Sequence, residues 1–142
     1  MLKDALANDH FCLVVQAIQS NAKGAVEGYR YEVLLRLQKD GELISPFTFL
    51  PIAERYNLMS AIDRWVVEHF LKFLHDEPSH YANLASASIN LCTQSLGDEK
   101  FAEDVEVLFE RYKVDPRKIC FEITETFKFF PETKVLISTF IF

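Results

Sequence analysis

The chain has 142 residues, 49% hydrophobic and 25% charged, with a formal net charge of −6 at pH 7. That length is one domain with enough residues to bury a core, and the composition excludes a disordered chain. The acidic balance argues against a general nucleic-acid or membrane-surface binder, but leaves open a phosphate ligand held by local arginines and metal ions.

The opening MLKDALANDH is charged and has no apolar signal core, so no export signal is expected, and residues 2–8 suggest a short helix. HFCLVVQAIQ is strand-like, NAKGA supplies a turn, and VEGYRYEVLLRLQ is a second strand, which together predict an antiparallel hairpin. KDGE turns the chain again. Ser45-Pro46 then reads as N-cap and first helical residue of FTFLPIAERY, with Pro51 expected to bend or limit that helix. Ser60 with Asp63 three residues on resembles a capping box for the next helix. Its stripe of Ile62, Trp65, Val66, Phe70, Phe73 and Leu74 recurs at near-helical spacing and is expected to be core.

Beyond Pro78, ASASINLC at 85–92 is a third strand candidate, followed by a helix at about 98–113. Asp115-Pro116 turns into a fourth strand, KICFEIT, and the tail FKFFPETKVLISTFIF is ambiguous between helix and strand. Strands separated by helical stretches predict an α/β sheet with parallel neighbours. Cys12, Cys92 and Cys120 lie far apart without a CxxC and read as buried, reduced thiols in a cytoplasmic protein. His10, His69, His75 and His80 lack a paired metal spacing and read as surface or cap residues, and no run is long enough to be a membrane segment.

Alternation along the strands exposes an oddity. In YEVLLRL, Tyr31, Val33, Leu35 and Leu37 form an apolar face, while Glu32, Leu34 and Arg36 share the other. The third strand sets Ser86, Ser88, Asn90 and Cys92 opposite its apolar face, and the fourth sets Lys118, Cys120, Glu122 and Thr124. A half-buried strand with its charges in water accounts for the second strand alone. An α/β sheet covers both faces with helices, so three polar strand faces call for a barrel interior open at its C-terminal mouth. There Glu32, Asn90 and Glu122 would converge, two carboxylates and an amide suited to Mg²⁺ or Mn²⁺.

The residues at 32–36, E-V-L-L-R, resemble the Glu-x-Leu-Leu-Arg signature of EAL domains, with Val33 in place of the alanine. The likeness continues in order through VVQAI, SPFTFLPIAERYNLM, IDRWVV, SINLCTQSL and ICFEITET, from about residue 1 to residue 126. The resemblance implies a TIM-type β/α barrel that hydrolyses one phosphodiester of cyclic di-GMP to give linear pGpG. It implies a metal site holding Mg²⁺ or Mn²⁺ through Glu32, Asn90 and Glu122, with Glu32 catalytic. It further implies substrate contacts from Gln16, Leu34 and Arg36 and supporting roles for Glu54 and Glu125. Ala17 replaces a family proline, and neither that change nor Val33 removes a ligand.

The large departure is length. A (β/α)₈ barrel takes about 250 residues, and the family's later DDFGTG segment, with its two metal-site aspartates, is not among these 142. The expectation is therefore a partial, truncated barrel: residues 1–126 as the N-terminal part of an EAL domain and 127–142 as a divergent apolar tail. Such a chain exposes strand edges, which predicts self-association or pairing with a complementing half-barrel, and no nucleic-acid polymer as partner. Two function classes stay open: part of a phosphodiesterase, inactive alone, or a non-catalytic module that binds the dinucleotide or a protein. A remnant with no function is the third.

Overall fold

The computed structural model describes residues 2–7, 10–18 and 28–124. Helix α1 (Leu2–Ala7) buries Leu2 and Ala5, one helical turn apart, against the sheet that follows. Strands β1 (Phe11–Ala17) and β2 (Tyr29–Lys39) pair antiparallel, as the hairpin reading predicts, with Gln16 opposite Glu32 and Cys12 opposite Arg36. The NAKGA turn lies outside the described residues.

KDGE does more than turn the chain. Asp40 (φ 52°) and Gly41 (φ 78°) both adopt left-handed backbone, the two-residue turn that suits strand twist, and β3 (Glu42–Ile44) folds back on β2. This short strand is not apparent from alternation, because three residues are too few to show a period.

Helix α2 (Pro46–Arg55) starts as expected, with Ser45 Oγ accepting from the Phe47 N–H at 3.4 Å. Pro51 neither ends it nor stops it short, and Ala53 beyond it is fully buried. The helix closes with Asn57 left-handed (φ 56°), Leu58 N–H on Ala53 O at 2.8 Å and Asn57 N–H on Glu54 O at 3.2 Å. That closure leads directly into α3 (Met59–Asp76), and the capping box expected from Ser60 and Asp63 does not form. Ser60 Oγ donates instead to Asp98 Oδ2 at 3.0 Å, and Asp63 turns inward.

Helix α4 (Pro78–Asn83), absent from the sequence expectation, leads into β4 (Leu84–Cys92). A single turn, α5 (Thr93–Leu96), precedes α6 (Glu99–Tyr112), whose N-cap Asp98 accepts from the Lys100 N–H at 3.0 Å. A 3₁₀ turn at Pro116–Lys118 delivers β5 (Ile119–Thr124).

The sheet runs β1-β2-β4-β5, with β3 paired to the end of β2, and β2, β4 and β5 are parallel. Its apolar face carries Leu13, Val15, Tyr31, Val33, Ala87 and Ile89, packed with Ile62, Phe70 and Leu74 of α3 and Phe101, Leu108 and Phe109 of α6. The other face carries the polar residues.

Two sequence expectations are corrected here. His80 is half-buried and packed: its Nε2 meets Tyr31 Oη at 2.7 Å, its ring stacks on Tyr29, and burial lowers its pKa. The thiols are free, but only Cys12 is buried, Cys92 is half-buried and Cys120 is exposed.

Gly28 introduces β2 at φ 120°, a backbone region that side-chain-bearing residues rarely adopt, and an added Cβ would stand 2.7 Å from Asn83 O. Gly28→Ala is expected to destabilise the fold by about 2 kcal/mol or more, because strain and a backbone clash add. Urea unfolding measures it; a variant as stable as the parent contradicts the packing of β2's entry against β4.

Candidate functional site

The polar face is built by register. Gln16 faces Glu32 across the hairpin, and Glu32 faces Ser88 across the parallel pair. One step further along, Asn90 of β4 faces Glu122 of β5. Gln16, Glu32, Asn90 and Glu122 therefore stand on one sheet face, within two residue levels of each other. Asn90 Nδ2 donates to Glu32 Oε1 at 2.8 Å, a direct contact between residues 58 apart in sequence.

The position of Arg36 follows from how β2 changes partners. Through Val33 its inner neighbour is β4; from Leu37 onward it is β3. Leu34, Leu35 and Arg36 fall in the gap between those two pairings, at the C-terminal mouth of the parallel strands. The half-buried Arg36 donates from Nη1 to Leu35 O at 2.7 Å and forms no ion pair among the described residues. Burial pulls its pKa below the usual value, opposed by the neighbouring Cys12, but a guanidinium stays protonated at neutral pH. A partly desolvated guanidinium with no carboxylate on it is suited to accept an anion bidentately.

Of the residues singled out in the sequence, Gln16, Glu32, Leu34, Arg36, Asn90 and Glu122 share this face. Glu32 and Asn90 are half-buried, and Glu122 is exposed on the last described strand. Glu54 is elsewhere, exposed on α2, with no side-chain bond to any of them. Glu125 and the tail from 127 to 142 lie outside the described residues.

Three hard oxygen donors on adjacent strands fit a divalent cation of the Mg²⁺ or Mn²⁺ type in chemistry. They fall short in number: among the described residues no cluster of three or more His, Cys, Asp or Glu could hold a metal.

One residue that sequence reasoning placed at a cap meets the end of β4 instead. Asp63 is only 6% exposed, and its Oδ2 accepts from Ser95 Oγ at 2.6 Å and from the Cys92 N–H at 2.8 Å. The available signal was a lone acid inside an apolar stripe, between Ile62 and Trp65. Burial pushes the Asp63 carboxyl above the ordinary range, opposed by the bonds from Ser95 and Cys92. Because the folded pKa exceeds the unfolded one, this contribution to stability is fully present below about 3.9 and is lost as pH rises through the folded value. Asp63→Asn should therefore gain in stability relative to the parent as pH rises from about 4 to about 7. Urea unfolding at each pH reads this, and a difference that is flat across the range contradicts the raised value.

Comparison with known proteins adds four likenesses. The EAL domain family profile matches residues 1–140. The cyclic di-GMP phosphodiesterase PdeF of Escherichia coli K12 is 36% identical over 130 residues, covering 88% of this chain and 16% of that protein. The FimX EAL domain of Pseudomonas aeruginosa, bound to c-di-GMP, superposes with a TM-score of 0.74 at 28% identity, over 86% of this chain and 48% of that one. The FimX EAL domain of Xanthomonas citri, in complex with c-diGMP, gives 0.71 at 25% identity, over 87% and 47%. Solved EAL domains are TIM-like barrels, and the chain spans about half of one.

Proposed function

The chain belongs to the EAL domain family, and from that premise we propose that it is the N-terminal part of a cyclic di-GMP phosphodiesterase domain. The reaction is hydrolysis of one phosphodiester of the cyclic dinucleotide to linear pGpG. The observation that carries the reading is the contact between Asn90 and Glu32, with Glu122 paired beside Asn90 and Arg36 at the adjoining mouth.

In this reading Glu32, Asn90 and Glu122 supply oxygen donors to Mg²⁺ or Mn²⁺, which when bound polarises the phosphate and lowers the pKa of a coordinated water. Asn90 orients Glu32 by its hydrogen bond, so the carboxylate is held before a ligand arrives. Arg36 binds a non-bridging phosphate oxygen pair, which fixes the phosphorus over the carboxylates. Gln16, opposite Glu32, and Leu34, between Glu32 and Arg36, line the groove in which the dinucleotide lies. The family likeness assigns supporting roles to Glu54 and Glu125.

The 142-residue chain alone is inactive, since these residues make part of one coordination shell. It meets the rest of its site by pairing along the β5 edge, where Ile123 is 46% exposed, with a complementing half-barrel or with a second copy. Among the described residues no helix is long and apolar enough to cross a membrane, and we place the domain in the cytoplasm, where the dinucleotide signals. Supplying the missing half and following pGpG by chromatography tests the reading.

A further inference from the structure

The residue that the site's own chemistry leaves unused is Asp63. It sits in the first turns of α3, in a stripe otherwise given to Ile62, Trp65 and Val66, where an aliphatic side chain would pack at no electrostatic cost. Burying a carboxylate there is unfavourable unless its bonds are well made. Both of its partners lie at one place, the corner where β4 ends and α5 begins: the Cys92 N–H at 2.8 Å and the Ser95 hydroxyl at 2.6 Å. Ser95 is itself 1% exposed, and Cys92 Sγ lies 3.5 Å from its Oγ.

Cys92 is the last residue of β4 and stands two residues beyond Asn90 on the same face. We propose that Asp63 is the positioning residue of this site: its carboxylate anchors the β4–α5 corner to α3 and thereby sets where the Asn90 amide stands against Glu32. The inference rests on the reading of Asn90 and Glu32 as site residues. It explains why the acid faces β4 while the next residue, Arg64, turns away to Asp98 and Asp104. A simple clamp between helix and sheet needs neither a charge nor a strand-end amide. A clamp on the strand that carries a ligand needs both, because a displacement of about 1 Å at such a residue costs about 100-fold in rate.

The test is a nuclear magnetic resonance measurement on the full chain labelled in asparagine, whose five side-chain amides at 8, 21, 57, 83 and 90 are few enough to resolve. Asn90→Ser identifies the Asn90 pair. In the parent, that pair should be displaced from free-amide positions and slow to exchange, and Glu32→Gln should move it. Asp63→Asn should move the Asn90 pair towards free-amide positions and speed its exchange, in a chain that stays folded. Ser95→Ala, which keeps the carboxylate and removes one of its two donors, should move it the same way by less. An Asn90 pair unmoved in Asp63→Asn overturns the proposal and leaves Asp63 a local clamp. Should Asp63→Asn fail to fold, Ser95→Ala decides alone, an unmoved Asn90 pair again overturning it. Adding Mn²⁺ to the parent tests the underlying reading separately: Asn90 signals that do not broaden count against the metal site and leave the positioning result standing.

Discussion

No pGpG is expected to form when the 142-residue chain is incubated alone with cyclic di-GMP at saturating Mg²⁺ or Mn²⁺. In-line displacement on a phosphodiester depends on holding the nucleophile, the phosphorus and the neutralising charges in one geometry. The described residues furnish Glu32 and Asn90 in contact, Glu122 beside them and Arg36 at the mouth. Glu122 is exposed on the outermost described strand, so water screens its charge, and among the described residues no strand pairs beyond it. Positioning and preorganised charge supply most of the rate enhancement in such reactions, so a half-built shell should lose many orders of magnitude. Chromatography of the nucleotide products reads this. Turnover by the chain alone, abolished by Glu32→Ala, would instead mean a site completed between two copies.

With a C-terminal half-barrel carrying the DDFGTG segment added, turnover is expected to appear, and Glu32→Ala should then reduce kcat by about 10³-fold or more, or about 4 kcal/mol. Truncating Glu32 removes the oxygen proposed to hold the metal and the acceptor for Asn90 Nδ2. Arg36→Lys should act differently, raising KM more than it lowers kcat, because lysine keeps the charge but loses the bidentate geometry. Saturable binding of the dinucleotide with no turnover in the complemented protein would favour a non-catalytic module over an enzyme.

The polar faces of β2, β4 and β5 were legible in the sequence because the strand period is two, and one alternating stretch places every side chain. That put Glu32, Asn90 and Glu122 on one face before any register was known, and the parallel pairing of β4 with β5 then set Asn90 opposite Glu122. The core of α3 was legible for the matching reason of helical period. What stayed hidden was set by tertiary partners. Asp63 three residues after Ser60 is what a capping box looks like, and only the return of β4 beside α3 shows that its carboxylate serves Cys92 and Ser95. Strand β3 and helix α4 are too short for a period to emerge, and the partner of His80 is Tyr31, 49 residues away. Pro51 misled because a proline removes one donor, whereas the buried Phe49, Leu50 and Ala53 hold the helix together on both sides of it.

Glu32, Asn90 and Glu122 are proposed to act as one set of oxygen donors on adjoining strands. Titrating Mn²⁺ into the chain, with the signal of the free hydrated ion followed by electron paramagnetic resonance, tests it most directly. Weak, saturable binding is expected for the parent, lost in Glu32→Ala and in Glu122→Ala and weakened about tenfold or more in Asn90→Ala. Binding left unchanged by Glu32→Ala or by Glu122→Ala would contradict the claim.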